Sequence, residues 1–210
     1  MSILSRLFGL KPSPKALSAV DWIVANTEVR LDVVEAGPLP TPEGKAAILD
    51  PLALMQTLEP NLIDVPTTGG RVVVFHEPDQ GRNSKLALVF SDSPVTGGAD
   101  VATCAIDAGM GSVFTPTTHT NLLRFIDEDL KTDPYNGFFH AHDDPNGGER
   151  KIVTLPDGTP IPYVHSGWGD GGYPVFTLTD ADGTLCALYT DFMGKNDQGE
   201  YLTPPGVTLD

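Results

Sequence analysis

Two histidines and an aspartate beyond the middle of the chain have the spacing of metal ligands. Residues 140–144 read HAHDD, so that His140, His142 and Asp144 occupy alternate positions. Alternate residues of an extended segment point to the same side, where two imidazoles and a carboxylate could bind a divalent cation. The segment runs directly into PNGG, a composition that is typical of an exposed polar loop. The loop is the favoured interpretation, so no metal or other cofactor is assigned, and the three residues are kept as an alternative metal site.

Two aspartates beside glycines are the second candidate for chemistry. Asp107 follows the apolar run in CAIDAGMGS, and Asp170 precedes the apolar run in GDGGYPVF. A carboxylate at the end of a strand can accept hydrogen bonds from the backbone N–H groups of a turn, which is the favoured role. If the two carboxylates faced each other, they could instead form an acid–base pair or a cation site. The chain contains no G-x-S-x-G nucleophile elbow, Walker loop or dinucleotide fingerprint, so no catalytic residue is assigned.

The chain carries a large excess of negative charge. It has 28 Asp and Glu residues against 13 Lys and Arg, for a formal net charge of −15 at pH 7. Nucleic acids and anionic membranes bind through cations that neutralise their phosphates, so both are excluded as partners. A basic protein partner would be attracted and its association accelerated, whereas solubility alone is the other explanation of the charge. The acidic residues predicted to contact such a partner are Asp127, Glu128 and Asp129 in FIDEDLKTD and Asp143 and Asp144 in HAHDD.

The cysteines and the amino terminus predict a cytoplasmic protein. Cys104 and Cys186 both lie in apolar, strand-like runs, where two buried reduced thiols are favoured over a disulfide. No apolar run reaches the roughly 18–20 residues that span a bilayer. The first apolar run is interrupted by Arg6 and is too short for a signal peptide, and a helix docked on its own domain is favoured over an amphipathic membrane anchor.

The beginning of the chain is predicted to be separate from the rest. The segment PKALSAVDWIVANT has apolar residues at helical spacing, namely Leu17, Val20, Ile23 and Val24. The following AGPLPTPEG contains three prolines in nine residues and predicts an extended connection. We therefore expect a helical and extended appendage over residues 1–39 and a strand-rich domain over residues 40–210.

Beyond residue 40 the chain reads as short strands separated by Gly, Pro and Asp. Eight segments have the composition of strands: KAAILD, GGRVVVFHE, KLALVFSD, DVATCAIDAG, RKIVTLPDG, IPYVHSG, YPVFTLTD and TLCALYTDF. The DADG between the last two predicts a tight hairpin turn. The segment THTNLLRFIDEDLK has a periodic apolar stripe and predicts a helix over residues 118–131. Many short strands with few helices predict an α+β domain whose sheet is predominantly antiparallel.

Four of these segments, in their order along the chain, resemble a known family. GKAAILDP at 44–51, SKLALVFSDSPV at 84–95, AIDAGMGS at 105–112 and GDGGYPVFTLTDADGTLCALYTDF at 169–192 are similar to the DUF4241 family, a bacterial family of unknown function. The resemblance covers roughly residues 40–193. The residues that belong to the family pattern are Asp50, Pro51, Asp107, Gly109, Gly111, Gly169, Asp170, Gly171, Tyr173, Pro174 and Asp191.

The resemblance implies no catalytic assignment, and HAHDD is not part of it. Proteins of this type look like those encoded beside polymorphic toxins of bacterial competition systems, where small acidic cytosolic proteins serve as immunity factors. With the acidic charge, the thiols and the lack of enzyme motifs, this predicts a non-enzymatic protein that neutralises a basic toxin domain. The alternatives are a small metal-dependent hydrolase or ligand-binding enzyme built on Asp107 and Asp170, and a structural module without a small-molecule site.

Charge reversal of the acidic segment tests the partner hypothesis. The triple variant D127K/E128K/D129K is expected to associate more slowly with a basic partner at low ionic strength, because electrostatic steering is weakened. Stopped-flow association rates across a range of salt concentrations measure the effect. A rate that equals the wild-type rate at every ionic strength would exclude this surface.

Overall fold

The computed structural model describes residues 16–51, 60–130, 150–192 and 194–209. Helix α1 spans Ala19–Asn26, and helix α2 spans Pro116–Phe125 and continues into a π-helical turn over Ile126–Leu130. The strands in these ranges are β1 (Asp32–Leu39), β2 (Lys45–Leu49), β3 (Ile63–Asp64), β4 (Gly70–Glu77), β5 (Arg82–Val89), β6 (Gly97–Ile106), β7 (Met110–Phe114), β8 (Arg150–Thr154), β9 (Pro160–His165), β10 (Gly171–Thr179) and β11 (Leu185–Asp191). Within these ranges, neither helix is long and apolar enough to cross a membrane.

The strands form two antiparallel sheets. One sheet has six strands in the order β1-β4-β5-β11-β10-β6, and the other has five strands in the order β3-β2-β7-β9-β8. Each pairing between neighbouring strands is antiparallel. The predicted α+β fold with a predominantly antiparallel sheet is therefore confirmed.

The six-stranded sheet is covered on both faces, which explains the continuous apolar runs of its central strands. In β4, Val72 and Val74 enter the main core together with residues of the five-stranded sheet. Val73 and Phe75 enter a second core, to which helix α1 contributes Ile23. Successive side chains of a strand point to opposite faces, so a strand between two cores is apolar at every position.

All eight predicted strand segments contain a strand, and the DADG turn joins β10 to β11 as a hairpin. In this turn, Asp180 Oδ1 accepts hydrogen bonds from the backbone N–H groups of Asp182 and Thr184 at 3.0 and 2.9 Å. Gly183 has a φ of +79°, a conformation that glycine adopts without strain. The predicted tight turn is therefore formed by the hydrogen bonds to the Asp180 side chain and by the positive φ of Gly183.

The two helices differ in detail from the prediction. Helix α2 begins two residues earlier, because Thr115 and Thr118 form a reciprocal capping box and Pro116 occupies the first turn. Helix α1 buries only a narrow face. Ile23 lies on that face as predicted, whereas Val24 is exposed.

Residues 32–39, which the sequence assigned to an appendage, form β1 at the edge of the six-stranded sheet. The strand carries Pro38 and a register irregularity between Glu35 and Gly37, and an edge position tolerates both. These features hide the pattern of a strand in the sequence. The predicted boundary near residue 40 falls between β1 and β2, and both strands contribute residues to the main core.

A fully buried ion pair joins the centre of the six-stranded sheet to the last segment of the chain. Lys85 on β5 and Asp191 on β11 are register partners, with Nζ 3.3 Å from Oδ1 and both side chains 0% exposed. Asp191 also accepts hydrogen bonds from the backbone N–H groups of Gly194 and Leu202, each at 2.7 Å. Burial lowers the pKa of the Lys85 ammonium, an effect that the neighbouring Asp191 carboxylate opposes. The pair is a buried point at which the segment after β11 is held to the sheet.

Removal of the buried ammonium is expected to destabilise the protein strongly. Lys85→Met leaves the Asp191 carboxylate buried without its cation, which costs about 3–5 kcal/mol of the free energy of unfolding. The matched control is Lys45→Met, because the Lys45–Asp64 pair is largely exposed and contributes at most about 1 kcal/mol. Urea unfolding of both variants measures the difference, and equal losses would contradict the assignment.

Candidate functional site

Three segments of the family pattern meet at one place, and two aspartates hold them together. The turn between β6 and β7 presents three successive backbone N–H groups. Those of Asp107 and Ala108 donate to Oδ2 of Asp50 at 2.9 and 2.6 Å. That of Gly109 donates to Oδ1 of Asp170 at 3.0 Å. Gly109 has a φ of +67°, which favours glycine at this position.

The chain makes a tight corner immediately before β10. Ser166 Oγ and Tyr173 Oη both donate hydrogen bonds to the carbonyl oxygen of Gly169 at 2.9 Å. Gly169 has a φ of +81°. The exposed Asp170 then joins this corner to the β6–β7 turn through its bond from Gly109.

The carboxylates of Asp107 and Asp170 belong to neighbouring turns, and both residues are exposed. One oxygen of Asp170 is engaged by the backbone of Gly109. In the part of the chain that the structure describes, no three His, Cys, Asp or Glu side chains come together in a metal-binding arrangement. The described residues thus do not assemble a metal ligand set around this pair.

A cleft of about 400 Å³ opens beside this corner. Its walls contain four aromatic side chains, and one carboxylate lies among them. The lining residues are Trp168, Asp170, Gly171, Gly172, Tyr173, Phe192, Gly199 and Tyr201. Aromatic walls with a carboxylate suit an apolar or cationic group, because the ring faces and the carboxylate both attract positive charge.

The floor of the cleft is tightly packed. The rings of Tyr173 and Phe192 are both buried and meet edge to face, with centroids 5.4 Å apart and planes at 87°. A Cβ added at Gly111 would lie 2.6 Å from Phe192 Cζ, so the ring occupies the space that a side chain would need. Burial raises the pKa of Tyr173 to about 12, so its hydroxyl stays protonated at neutral pH.

Trp168 borders the cleft and is 58% exposed, more than any other large hydrophobic residue of the described ranges. The guanidinium carbon of Arg82 lies 4.6 Å from the centroid of its ring, a cation–π contact. Trp168 is not among the residues predicted from the sequence, because no catalytic, metal-binding or family pattern includes it. The signal that could have found it is an indole flanked by residues too small to cover it.

The residues predicted to contact a partner do not line this cleft, and some of them lie outside the residues that the structure describes. Asp127 and Glu128 are exposed on the π-helical turn, and the preceding Arg124 forms an ion pair of 2.6 Å with Asp157. Asp129 belongs to the same turn. The acidic and metal-site candidates of the HAHDD segment lie outside the described residues: His140, His142, Asp143 and Asp144.

The two cysteines are free and buried, as predicted. Burial raises the pKa of both thiols, and for Cys104 the nearby Asp50 carboxylate acts in the same direction. A thiol is nucleophilic only as the thiolate. Burial thus disfavours the nucleophilic thiolate form of both Cys104 and Cys186.

Substitution of Asp50 by Asn tests whether the turn depends on this carboxylate. Asp50→Asn is expected to lower the free energy of unfolding by about 1–3 kcal/mol, because two backbone N–H groups lose the charged acceptor that a fully buried side chain supplies. Asp180→Asn is the control, since Asp180 also accepts two backbone N–H groups but in an exposed turn. Chemical denaturation compares the two variants, and a loss no larger than that of the control would show that the buried contact is unimportant.

The segments that meet at this site lie within the range that a protein-family model matches. A family model described as "Protein of unknown function (DUF4241)" matches residues 44–190, a range that includes Asp50, Asp107 and Asp170. No curated protein and no solved structure is significantly similar to the chain. Because the match covers more than half of the sequence, the chain belongs to the DUF4241 family.

Proposed function

We propose that this protein is a non-enzymatic binding protein that neutralises a basic protein partner, and that it acts in the cytoplasm as an immunity factor against a toxin domain. The observation that carries the proposal is the exposed Trp168 indole beside an aromatic cleft that includes the Asp170 carboxylate. In this proposal the partner inserts a lysine or arginine side chain at the cleft, and the complex covers the active site of the toxin.

The chemistry of Trp168 supports an interface. Tryptophan is the residue type most enriched among those that dominate binding energy, and an indole exposed to water gains the most from being covered. The contact with Arg82 is an internal example of a guanidinium attracted to this ring. A cation from a partner would find the same attraction in the cleft, reinforced by the Asp170 carboxylate.

The overall charge supports the choice of a basic partner. A formal net charge of −15 attracts a cationic protein over a distance of about one Debye length, and it speeds the encounter at low salt. The exposed Asp127 and Glu128 add two acidic side chains outside the cleft.

The structural use of the family aspartates favours binding over catalysis. Asp50, Asp170 and Asp191 each accept at least one backbone N–H hydrogen bond, so each of these carboxylates helps to hold a turn or an irregular segment. Burial raises the pKa of both thiols, which disfavours the thiolate that a nucleophilic cysteine needs. These contacts support a fold whose pattern residues shape a surface rather than carry out a reaction.

The proposal predicts that Trp168 dominates partner binding. The probe is the carboxy-terminal domain of the protein encoded immediately upstream, titrated into the full chain by isothermal calorimetry. Trp168→Ala is expected to weaken its binding at least about 30-fold, because a central aromatic anchor contributes 2 kcal/mol or more.

The matched control for that variant is Val33→Ala. Val33 is also exposed and apolar, but it lies on β1 and does not line the cleft. The control is expected to bind the domain like the wild type. A Trp168→Ala variant that binds as tightly as the control would exclude the cleft as the interface.

A further inference from the structure

A second cavity, of about 150 Å³, also borders Trp168. Its other polar and charged residues come from the β4–β5 hairpin and from the segment after β11: Glu77, Gln80, Arg82, Asn196 and Asp197. Trp168 lines this cavity and the larger cleft alike. The two spaces are therefore neighbours that share one indole.

Glu77 brings a buried carboxylate to this cavity, and one of its oxygens is left without a hydrogen bond. The residue is 3% exposed, and its Oε2 has no hydrogen-bond partner among the described residues. Glu77 takes part in none of the ion pairs that these residues form. A buried carboxylate normally pairs with a cation or accepts hydrogen bonds, because its desolvation is otherwise costly. Glu77 thus offers the cavity an unsatisfied acceptor.

The neighbouring Arg82 does not satisfy this acceptor. Arg82 and Glu77 are register partners across the β4–β5 hairpin. The Arg82 guanidinium, however, is stacked on Trp168, and its Nη2 donates to Gln80 Oε1. Its Nη2 is therefore engaged elsewhere, whereas its buried Nε has no hydrogen-bond partner among the described residues.

Lys85 is engaged as well. Its ammonium is attracted to Glu77, but it lies 3.3 Å from Asp191 and donates hydrogen bonds to Ser84 Oγ and the carbonyl of Gly194. At the cavity itself, the carboxylates of Glu77 and Asp197 face one guanidinium, that of Arg82. The charge around the space is therefore negative.

We propose that this cavity binds one primary ammonium group, which donates a hydrogen bond to the Glu77 carboxylate. The exposed Asp197 attracts the ammonium toward the cavity. The ammonium compensates the buried charge of Glu77, which supplies the driving force for binding.

Other cations fit the cavity less well. The place over the Trp168 ring that a guanidinium would take is already filled by Arg82. A divalent metal needs several carboxylate or imidazole ligands, and the described ranges hold no group of three such side chains suited to a metal. A compact ammonium with three donors matches a polar space of this volume.

That the ammonium is the lysine side chain of a basic protein partner rests on the function proposed above. A lysine bound at Glu77 would bring its neighbouring residues to Trp168, since the indole borders both spaces. The cavity would then recognise the charge, and the larger cleft would recognise an adjoining apolar or cationic side chain.

The probe for the cavity is the peptide acetyl-Gly-Lys-Gly-amide, titrated into the full chain and followed by the indole N–H signal of Trp168 in ¹H–¹⁵N spectra. The signal is assigned with a Trp22→Phe variant, since the chain has two tryptophans. We expect the signal to shift in a saturable way. Glu77→Gln keeps the shape of the side chain without its charge, and it is expected to weaken binding at least about 10-fold.

Two controls separate this site from general charge attraction. Asp64→Asn removes one exposed carboxylate on β3, which does not line the cavity, and it is expected to bind the peptide like the wild type. On the ligand side, the peptide with acetyl-lysine in place of lysine lacks the ammonium and is expected not to bind. This second control needs no protein variant, so it holds even if Glu77→Gln is unstable.

The outcomes distinguish this inference from the proposed function. Binding of the lysine peptide that is lost in Glu77→Gln or with acetyl-lysine supports the ammonium site. Equal binding by Glu77→Gln and the wild type, or no shift of the Trp168 signal, overturns it. If the upstream-encoded domain binds while the lysine peptide does not, the inference fails and the proposed function stands. If the peptide binds while that domain does not, the ammonium site stands and the partner assignment fails.

Discussion

The rest of the structure depends on the Lys85–Asp191 pair, because this pair fixes the segment after β11 against the sheet. Each oxygen of Asp191 accepts one backbone N–H from that segment, and the Lys85 ammonium donates to the carbonyl of Gly194. The same segment supplies Tyr201 to the larger cleft and Asn196 to the smaller cavity. The charges of Lys85 and Asp191 are fully buried. They need these contacts, because a buried carboxylate without a cation or hydrogen bonds would destabilise the folded protein. The hydrogen bonds to Lys85 and Asp191 therefore hold the segment after β11, which has no regular secondary structure, in one conformation.

The aspartates of the family pattern hold irregular segments of the chain by accepting hydrogen bonds from backbone N–H groups. Asp50 and Asp170 together accept three successive N–H groups of the β6–β7 turn, whereas Asp191 holds the segment after β11. Each carboxylate replaces the hydrogen bonds that an irregular segment cannot make within a sheet. The corner before β10 and the segment after β11 both supply residues to the cleft at Trp168. Hydrogen bonds that order such segments in advance reduce the conformational entropy lost when a partner covers the cleft.

Much of the fold was predictable, because its signals are local. Continuous apolar runs predicted the central strands, and the Asp-Gly step predicted the β10–β11 hairpin. The β1 strand was missed because Pro38 and the irregularity after Glu35 interrupt the alternation of a strand. The short strands β3 and β7 were also missed, since β3 has two residues and β7 begins within AIDAGMGS, which reads as a turn. For the site, the sequence identified Asp170 and Tyr173 as family residues but gave no reason to select Trp168, Glu77 or Arg82.

The sequence alone determined the class of fold, the acidic charge, the reduced cysteines and membership of the DUF4241 pattern, because composition and short-range spacing carry these properties. Only the tertiary structure decided which residues share a cavity. Glu77 and Trp168 are 91 positions apart in the numbering, and Trp168 meets Arg82 only because the β4–β5 hairpin lies beside the corner before β10. Whether a carboxylate is paired depends on which cations folding brings within reach. The structure directs Arg82 to the indole and Lys85 to Asp191, and Glu77 is thereby left as the acceptor at the cavity.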